Sequence, residues 1–195
     1  MSNAGVTITS TWNGEIIKSL AKQFMDASLE SIGANAEGQM KELAPRRYGY
    51  LAASINYQGK DFGSKVESPS KYSKATPPEN YHVPTLKEIE KPSGANEVRI
   101  GTALEDESWS AEFGTKAHDI TVNTAKVLSD GKNVYGTVVH HPGTEATPFA
   151  RPTMDYIQGK IPEIVERQGK KVFKEYMTWN QLRTVYGQTN EAFGE

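Results

Sequence analysis

The sequence predicts an α+β fold: a small, mostly antiparallel β-sheet packed against a long N-terminal helix and a C-terminal helix, with a long inserted excursion. Apolar residues recur at helical spacing from Ile17 to Leu43, and again from Met154 to Tyr176. Between those stretches lie short β-rich runs bounded by glycine and proline. The resulting order is helix, strand, excursion, strand, strand, hairpin, helix, which sets helices on one side of an antiparallel sheet. At 195 residues the chain fits one domain, 1–195, with its core at about 13–58 and 96–176, the excursion at 59–95 and a C-terminal tail at 178–195.

Residues 1–12 are rich in Thr and Ser and read as an arm or short strand. Asn13 is a suitable N-cap, and Glu15 is favourable near a helix N-terminus. Ile17, Leu20, Phe24, Ile32, Ala36, Met40 and Leu43 then form one stripe, and Pro45 ends the helix. Gly33 and Gly38 inside it each cost roughly 1 kcal/mol against Ala. They mark a kink or split, or they admit a neighbouring subunit. Residues 44–51 form a turn and Ala52 to Gln58 a strand. The excursion is rich in Pro, Ser, Gly and Lys and lacks periodicity, so it reads as a surface that folds against a partner.

Glu97 to Thr102 reads as a strand. After a turn at Leu104–Glu107, Trp109 to Thr115 reads as another, with Trp109, Ala111 and Phe113 on one face and Glu112 on the other. Ile120 to Leu128 and Asn133 to His140 form a hairpin around Asp130-Gly131. Gly136 to Asp155 is then a stiff elbow: strand, break at Pro142-Gly143, a loop stiffened by Pro148 and Pro152, and a helix start that presents Phe149 and Ala150. Pro162 predicts a kink or a fresh helix start, and 178–195 a polar tail that docks elsewhere.

Composition narrows the function. Hydrophobic residues make up 36% and the mean hydropathy is −0.61, which is lean for a compact globule and suits surfaces buried only in an assembly. Net charge is −2, so there is no overall basic footprint for nucleic acid. Cysteine is absent, which excludes disulfides, thiol nucleophiles and Cys-type zinc sites. No apolar run is long enough to span a membrane, and the first residues do not form a signal peptide. The expected setting is a cytoplasm, or a particle assembled there.

Chemistry-bearing residues are few. His118, His140, His141, Glu112 and Glu145 have the chemistry of zinc or iron ligands, and Glu112 beside His118 that of a general base. Yet adjacent histidines on a strand point to opposite faces, and no helical H-E-x-x-H is present. The competing reading makes these a packed histidine, a solvated one and a carboxylate on the solvent face of a strand. Nucleophile elbows, Walker A loops and dinucleotide fingerprints are all missing. Arg46 and Arg47 have the look of a phosphate-binding pair, or of residues that satisfy helix carbonyls. Lys170, Lys171 and Lys174 alternate with Glu166 and Glu175, as on a solvated face. No cofactor is expected.

Four segments resemble, in order, the HK97 gp10-like proteins of tailed bacteriophages, the neck or tail-completion proteins. They are the first helix ending in Ala44-Pro45 with Gly49-Tyr50-Leu51 and Ser54-Ile55; Ile100-Gly101-Thr102; Ala111-Glu112-Phe113-Gly114-Thr115; and His141-Pro142-Gly143-Thr144 through Pro148-Phe149-Ala150-Arg151-Pro152. The likeness covers 13–176 apart from the excursion, with Tyr48, Ala150 and Thr153 where threonine, leucine and alanine are usual. It implies a non-enzymatic virion protein that forms a hexameric ring joining head to tail, built in the host cytoplasm. Implied partners are copies of itself and other neck and tail proteins, such as head-closure and tail-terminator proteins. DNA passes through without specific binding, and no membrane is involved. The residues singled out for assembly are Pro45, Gly49, Leu51, Trp109, Glu112, Phe113, Gly114, Pro142, Gly143, Pro148, Phe149, Arg151 and Pro152. The alternatives are a metal-dependent hydrolase using His118, Glu112, His140 and His141, and a nucleic-acid-binding module using Arg46, Arg47, Lys170, Lys171 and Lys174.

Overall fold

A computed structural model describes residues 14–79, 81–122, 126–129 and 133–191, with side chains up to residue 178. The arm at 1–12, the Asn13 cap, the Asp130-Gly131 turn and the side chains of Trp179, Leu182, Tyr186 and Phe193 lie outside the described residues. The elements are α1 (Gly14–Leu43), α2 (Tyr50–Ser54), β1 (Asn56–Gln58), β2 (Arg99–Gly101), α3 (Glu105–Phe113), β3 (His118–Thr121), β4 (Leu128–Ser129), β5 (Val134–Gly136), β6 (Val138–His141) and α4 (Ala150–Glu191). The fold is α+β. Its strands form three antiparallel pairs, β1 with β2, β3 with β6 and β4 with β5.

The chain divides into two compact units. One is Leu29–Ile164; the other combines the described residues of 1–28 and 165–195. In the first, Met40, Ala44, Leu51, Ala52, Ile55 and Phe149 form a buried cluster, with Tyr72, Ile100, Ala111 and Ala150 against it. A second cluster joins Ala36 on α1 to Ile157 and Ile164 on α4. In the other unit Val172 is buried, and Phe24 of α1 lies 3.4 Å from where a Cβ on Gly169 would stand.

α1 is unbroken through Gly33 and Gly38. A Cβ at Gly33 would stand 2.6 Å from the Tyr57 ring and 3.0 Å from Val98, so the close approach there is by β1 and the residue before β2, within the same chain. Ala52 to Ser54, expected as strand, are the end of α2. Ala52 and Ala53 are strong helix formers, and the strand starts at Asn56. Trp109 to Phe113 are helix, not strand. Three acidic residues in the first turn, Glu105, Asp106 and Glu107, favour α3 electrostatically, and the i, i+4 pair Trp109–Phe113 mimics alternation in a short window. The segment expected as a turn at Leu104–Glu107 is where that helix begins. α4 continues through Pro162 with no fresh start, although the ring leaves the Gln158 carbonyl without its usual donor. It also runs on to Glu191, where a tail was expected.

The excursion has little regular structure: one short 3₁₀ turn at Pro69–Lys71 and a bridge between Gln58 and Gly63. It nevertheless lies along its own core. The Glu67 amide donates to the Ala53 carbonyl at 2.9 Å, and the Ile89 amide to Asn56 Oδ1 at 3.2 Å. Lys41, whose side chain is 8% exposed, donates to Glu37 at 2.5 Å and to Glu67 at 2.7 Å, pinning the excursion to α1. Burial alone lowers the Lys41 pKa, but its bonds to the two carboxylates outweigh that and hold it above its ordinary value. Burial likewise pushes Glu67 up, and Lys41 with Lys71 more than reverses this, leaving it at about 2.

Candidate functional site

The elbow is the best-organised feature of the chain, and it is stitched at three levels. Thr115 and Thr144 exchange backbone hydrogen bonds, 2.9 Å from the Thr115 amide and 3.0 Å from the Thr144 amide. Each is preceded by a glycine that the junction requires. Gly114 has φ 70° and Gly143 φ 91°, a region open to glycine at little cost. A Cβ on Gly114 would meet the Thr144 carbonyl oxygen at 2.5 Å, and one on Gly143 the Thr115 carbonyl oxygen at 2.3 Å. The Ala111 carbonyl then accepts from the Thr147 amide at 2.7 Å, tying the end of α3 to the loop.

The third level is the Glu112 carboxylate. α4 begins with free amides, as any helix does, and nothing in its own sequence caps them. Glu112 fills that role from α3. Oε2 accepts from the Phe149 and Ala150 amides, each at 2.8 Å, and Oε1 from the Arg151 amide at 3.1 Å. The Arg151 guanidinium closes the arrangement, donating to Oε1 at 2.7 Å and to the Glu112 carbonyl at 2.9 Å. Glu112 is only 5% exposed. Burial pushes its carboxyl up, but the Ala150 amide, the Arg151 side chain and the Phe149 and Arg151 amides together hold it below its ordinary value. The sequence reading that placed Glu112 on the solvent face of a strand is therefore corrected. On a helix it turns inward, and the positive end of α4 is its partner.

Phe149, 2% exposed, is buried beside Leu51 and Ala44. Pro45 follows directly on Ala44, and Gly49, at φ 80°, sets the start of α2. Thr153 is fully buried and donates back to the Phe149 carbonyl at 2.6 Å. Pro142, Pro148 and Pro152 are exposed and stiffen the approach. Trp109 and Phe113, expected on one face with Ala111, separate from it: Ala111 packs on the core while the two rings are exposed. They stack with centroids 4.8 Å apart, and the Arg151 guanidinium lies 4.9 Å from the Phe113 ring. With Phe149 and Ala150 they line a hollow of about 250 Å³.

The histidines do not converge on Glu112's carboxylate, which is fully engaged. His118 and His141 face each other across β3 and β6 with rings 5.1 Å apart. His140 lies across from Asp119, 2.8 Å from its carboxylate. His141 Nδ1 accepts the Gly143 amide at 3.1 Å, and the His118 ring meets the Lys116 carbonyl at 2.9 Å. Among the described residues no group of three or more His, Asp or Glu is placed to hold a metal ion. Arg46 donates to the Lys41 and Glu42 carbonyls at the end of α1, and Arg47 lies over the Tyr48 ring. Lys170 pairs with Glu166 on the exposed side of α4. Among the described residues no helix is long and apolar enough to cross a membrane.

Sequence reasoning misses the role of Glu112 as the cap of α4. The only available signal was an acidic residue ahead of Phe-Gly-Thr together with an arginine two residues after Phe149. Comparison with family models, curated proteins and solved structures finds no match for this chain.

Proposed function

We propose that the protein is a non-catalytic structural component of a tailed-bacteriophage virion, a neck or tail-completion protein that assembles with copies of itself into a ring between head and tail. One observation carries the reading. The segments that resemble that family, Ala44-Pro45 with Leu51, Glu112-Phe113-Gly114-Thr115, and Pro142-Gly143 through Pro152, meet in one corner, where the Glu112 carboxylate and the Thr115 and Thr144 backbones are engaged in holding it. Such a corner fixes two helices and a β-ribbon at a set angle. Subunits that must repeat one contact around a ring need that constancy. The lean composition and the exposed aromatic pair on α3 fit a chain that completes its burial against neighbours.

Purified protein mixed with isolated phage heads and tails tests this directly. Joined particles, with the protein located at the junction by antibody labelling, are the expected result. A chain that binds neither heads nor tails would overturn it.

A further inference from the structure

Two surface stripes stand out among the described residues beyond the corner. The first is on α3, where Glu105, Trp109 and Phe113 recur every four residues with Asp106 alongside, so carboxylates lead and aromatics follow along one face. Trp109 and Phe113 are each more than half exposed, yet their stack and the Arg151 guanidinium hold them in place. α3 has no basic residue, and Glu112 is already matched by Arg151, so Glu105 and Asp106 leave this face negative. The second stripe is on α4, where Lys170, Phe173, Lys174 and Met177 share one face at helical spacing. Phe173 and Met177 are each more than half exposed, while Val172 on the opposite side is buried. Around them Arg167, Lys170, Lys171 and Lys174 outnumber Glu166 and Glu175.

We infer that these stripes are the two halves of one contact between copies: the acidic aromatic face of α3 in one copy docks on the basic apolar face of α4 in the next. Charge complementarity selects a second copy as the occupant. Each stripe spans about two helical turns, enough for one ridge-into-groove helix crossing. Aromatic and Met side chains supply the buried centre, and the Lys and acidic residues the steering rim. The stacked Trp109–Phe113–Arg151 platform is already ordered, so docking costs less side-chain entropy. With α3 of each copy on α4 of the next, the contact is heterologous. It propagates head to tail and closes into a ring where the rotation allows. This deepens the neck-protein reading and rests on it for its biological setting, not for its geometry.

The test is sedimentation velocity of the full-length protein over a wide concentration range, with circular dichroism to verify folding. The wild type is expected to self-associate. Lys170→Glu with Lys174→Glu, or Glu105→Lys with Asp106→Lys, should each weaken association by about tenfold or more. All four changes together should restore it, as coupling across one contact requires. Phe173→Ser, at an exposed position, should weaken association while leaving the fold intact. A wild type that is monomeric throughout, reversals without effect, or a fourfold variant that fails to recover would each overturn the proposal. So would duplex-DNA binding that is lost on the Lys reversals in a chain that does not self-associate. The two readings fail separately. Heads and tails joined by a protein whose assembly ignores the charge swap would sink the contact alone. Assembly restored by the swap, with heads and tails never joined, would sink the neck reading alone.

Discussion

Glu112→Gln keeps the shape of the side chain and removes only its charge, so it isolates what the long-range cap contributes. The wild-type carboxylate accepts three amide hydrogen bonds and one from Arg151. Hydrogen bonds to a charged acceptor contribute about 1.5–3 kcal/mol each and neutral ones about 1. The glutamine oxygen can still serve two amides. Its NH₂ group faces the Arg151 amide and guanidinium, donor against donor. The Arg151 side chain is 60% exposed, so its ion pair adds little beyond this. The net cost is about 2–3 kcal/mol, which lowers the melting temperature by about 5–10 °C for a chain of this size. Thermal unfolding followed by helical circular dichroism reads it. The pH dependence adds a sign. A carboxyl held below its ordinary value stabilises the fold above its unfolded pKa, about 4.3, and that contribution is lost as pH falls through the folded value. The gap between wild type and Glu112→Gln should therefore be full at neutral pH and shrink below about pH 4.3. A variant that melts with the wild type at pH 7, or a gap that widens in acid, would refute the assignment of Glu112 as the cap of α4.

Phe149→Ala should cost about 3–5 kcal/mol, because a ring only 2% exposed leaves a cavity between Leu51 and Ala44; denaturant midpoints read it, and an unchanged midpoint contradicts the packing. Gly143→Ala should destabilise by about 2 kcal/mol or more, since the new methyl meets both a positive φ and the Thr115 carbonyl, whereas Gly38→Ala, with nothing within 4 Å, should stabilise by a few tenths to about 1 kcal/mol. Glu67→Gln should make the protein less sensitive to acid between about pH 4.3 and about 2, the window in which the wild-type carboxylate loses its Lys41 and Lys71 contacts, as measured by urea unfolding at stepped pH.

The long helices were legible because their apolar residues repeat over many turns, and both ends of α1 carry local signals. The elbow was legible because Pro and Gly act locally on their own backbone. Short elements were not. In α3 the acidic first turn signals a helix, but Trp109, Ala111 and Phe113 also alternate, and nine residues cannot separate the two periods. β1 hid its burial: Asn56 and Gln58 flank Tyr57 like the polar side of a half-exposed strand, yet all three are buried, because the excursion covers the polar side, Gln58 donating to the Ser64 carbonyl and the Ile89 amide to Asn56. The role of Glu112 depends on three amides more than thirty residues away, which no local pattern encodes. The exposed stack of Trp109 on Phe113 became visible only once α3 was a helix.

The decisive measurement is negative-stain imaging of the purified protein, alone and then with isolated heads and tails. Closed rings of uniform symmetry, hexameric as the resemblance implies, seated between head and tail are the predicted result. Protein that stays monomeric at every concentration and leaves heads and tails apart would contradict it.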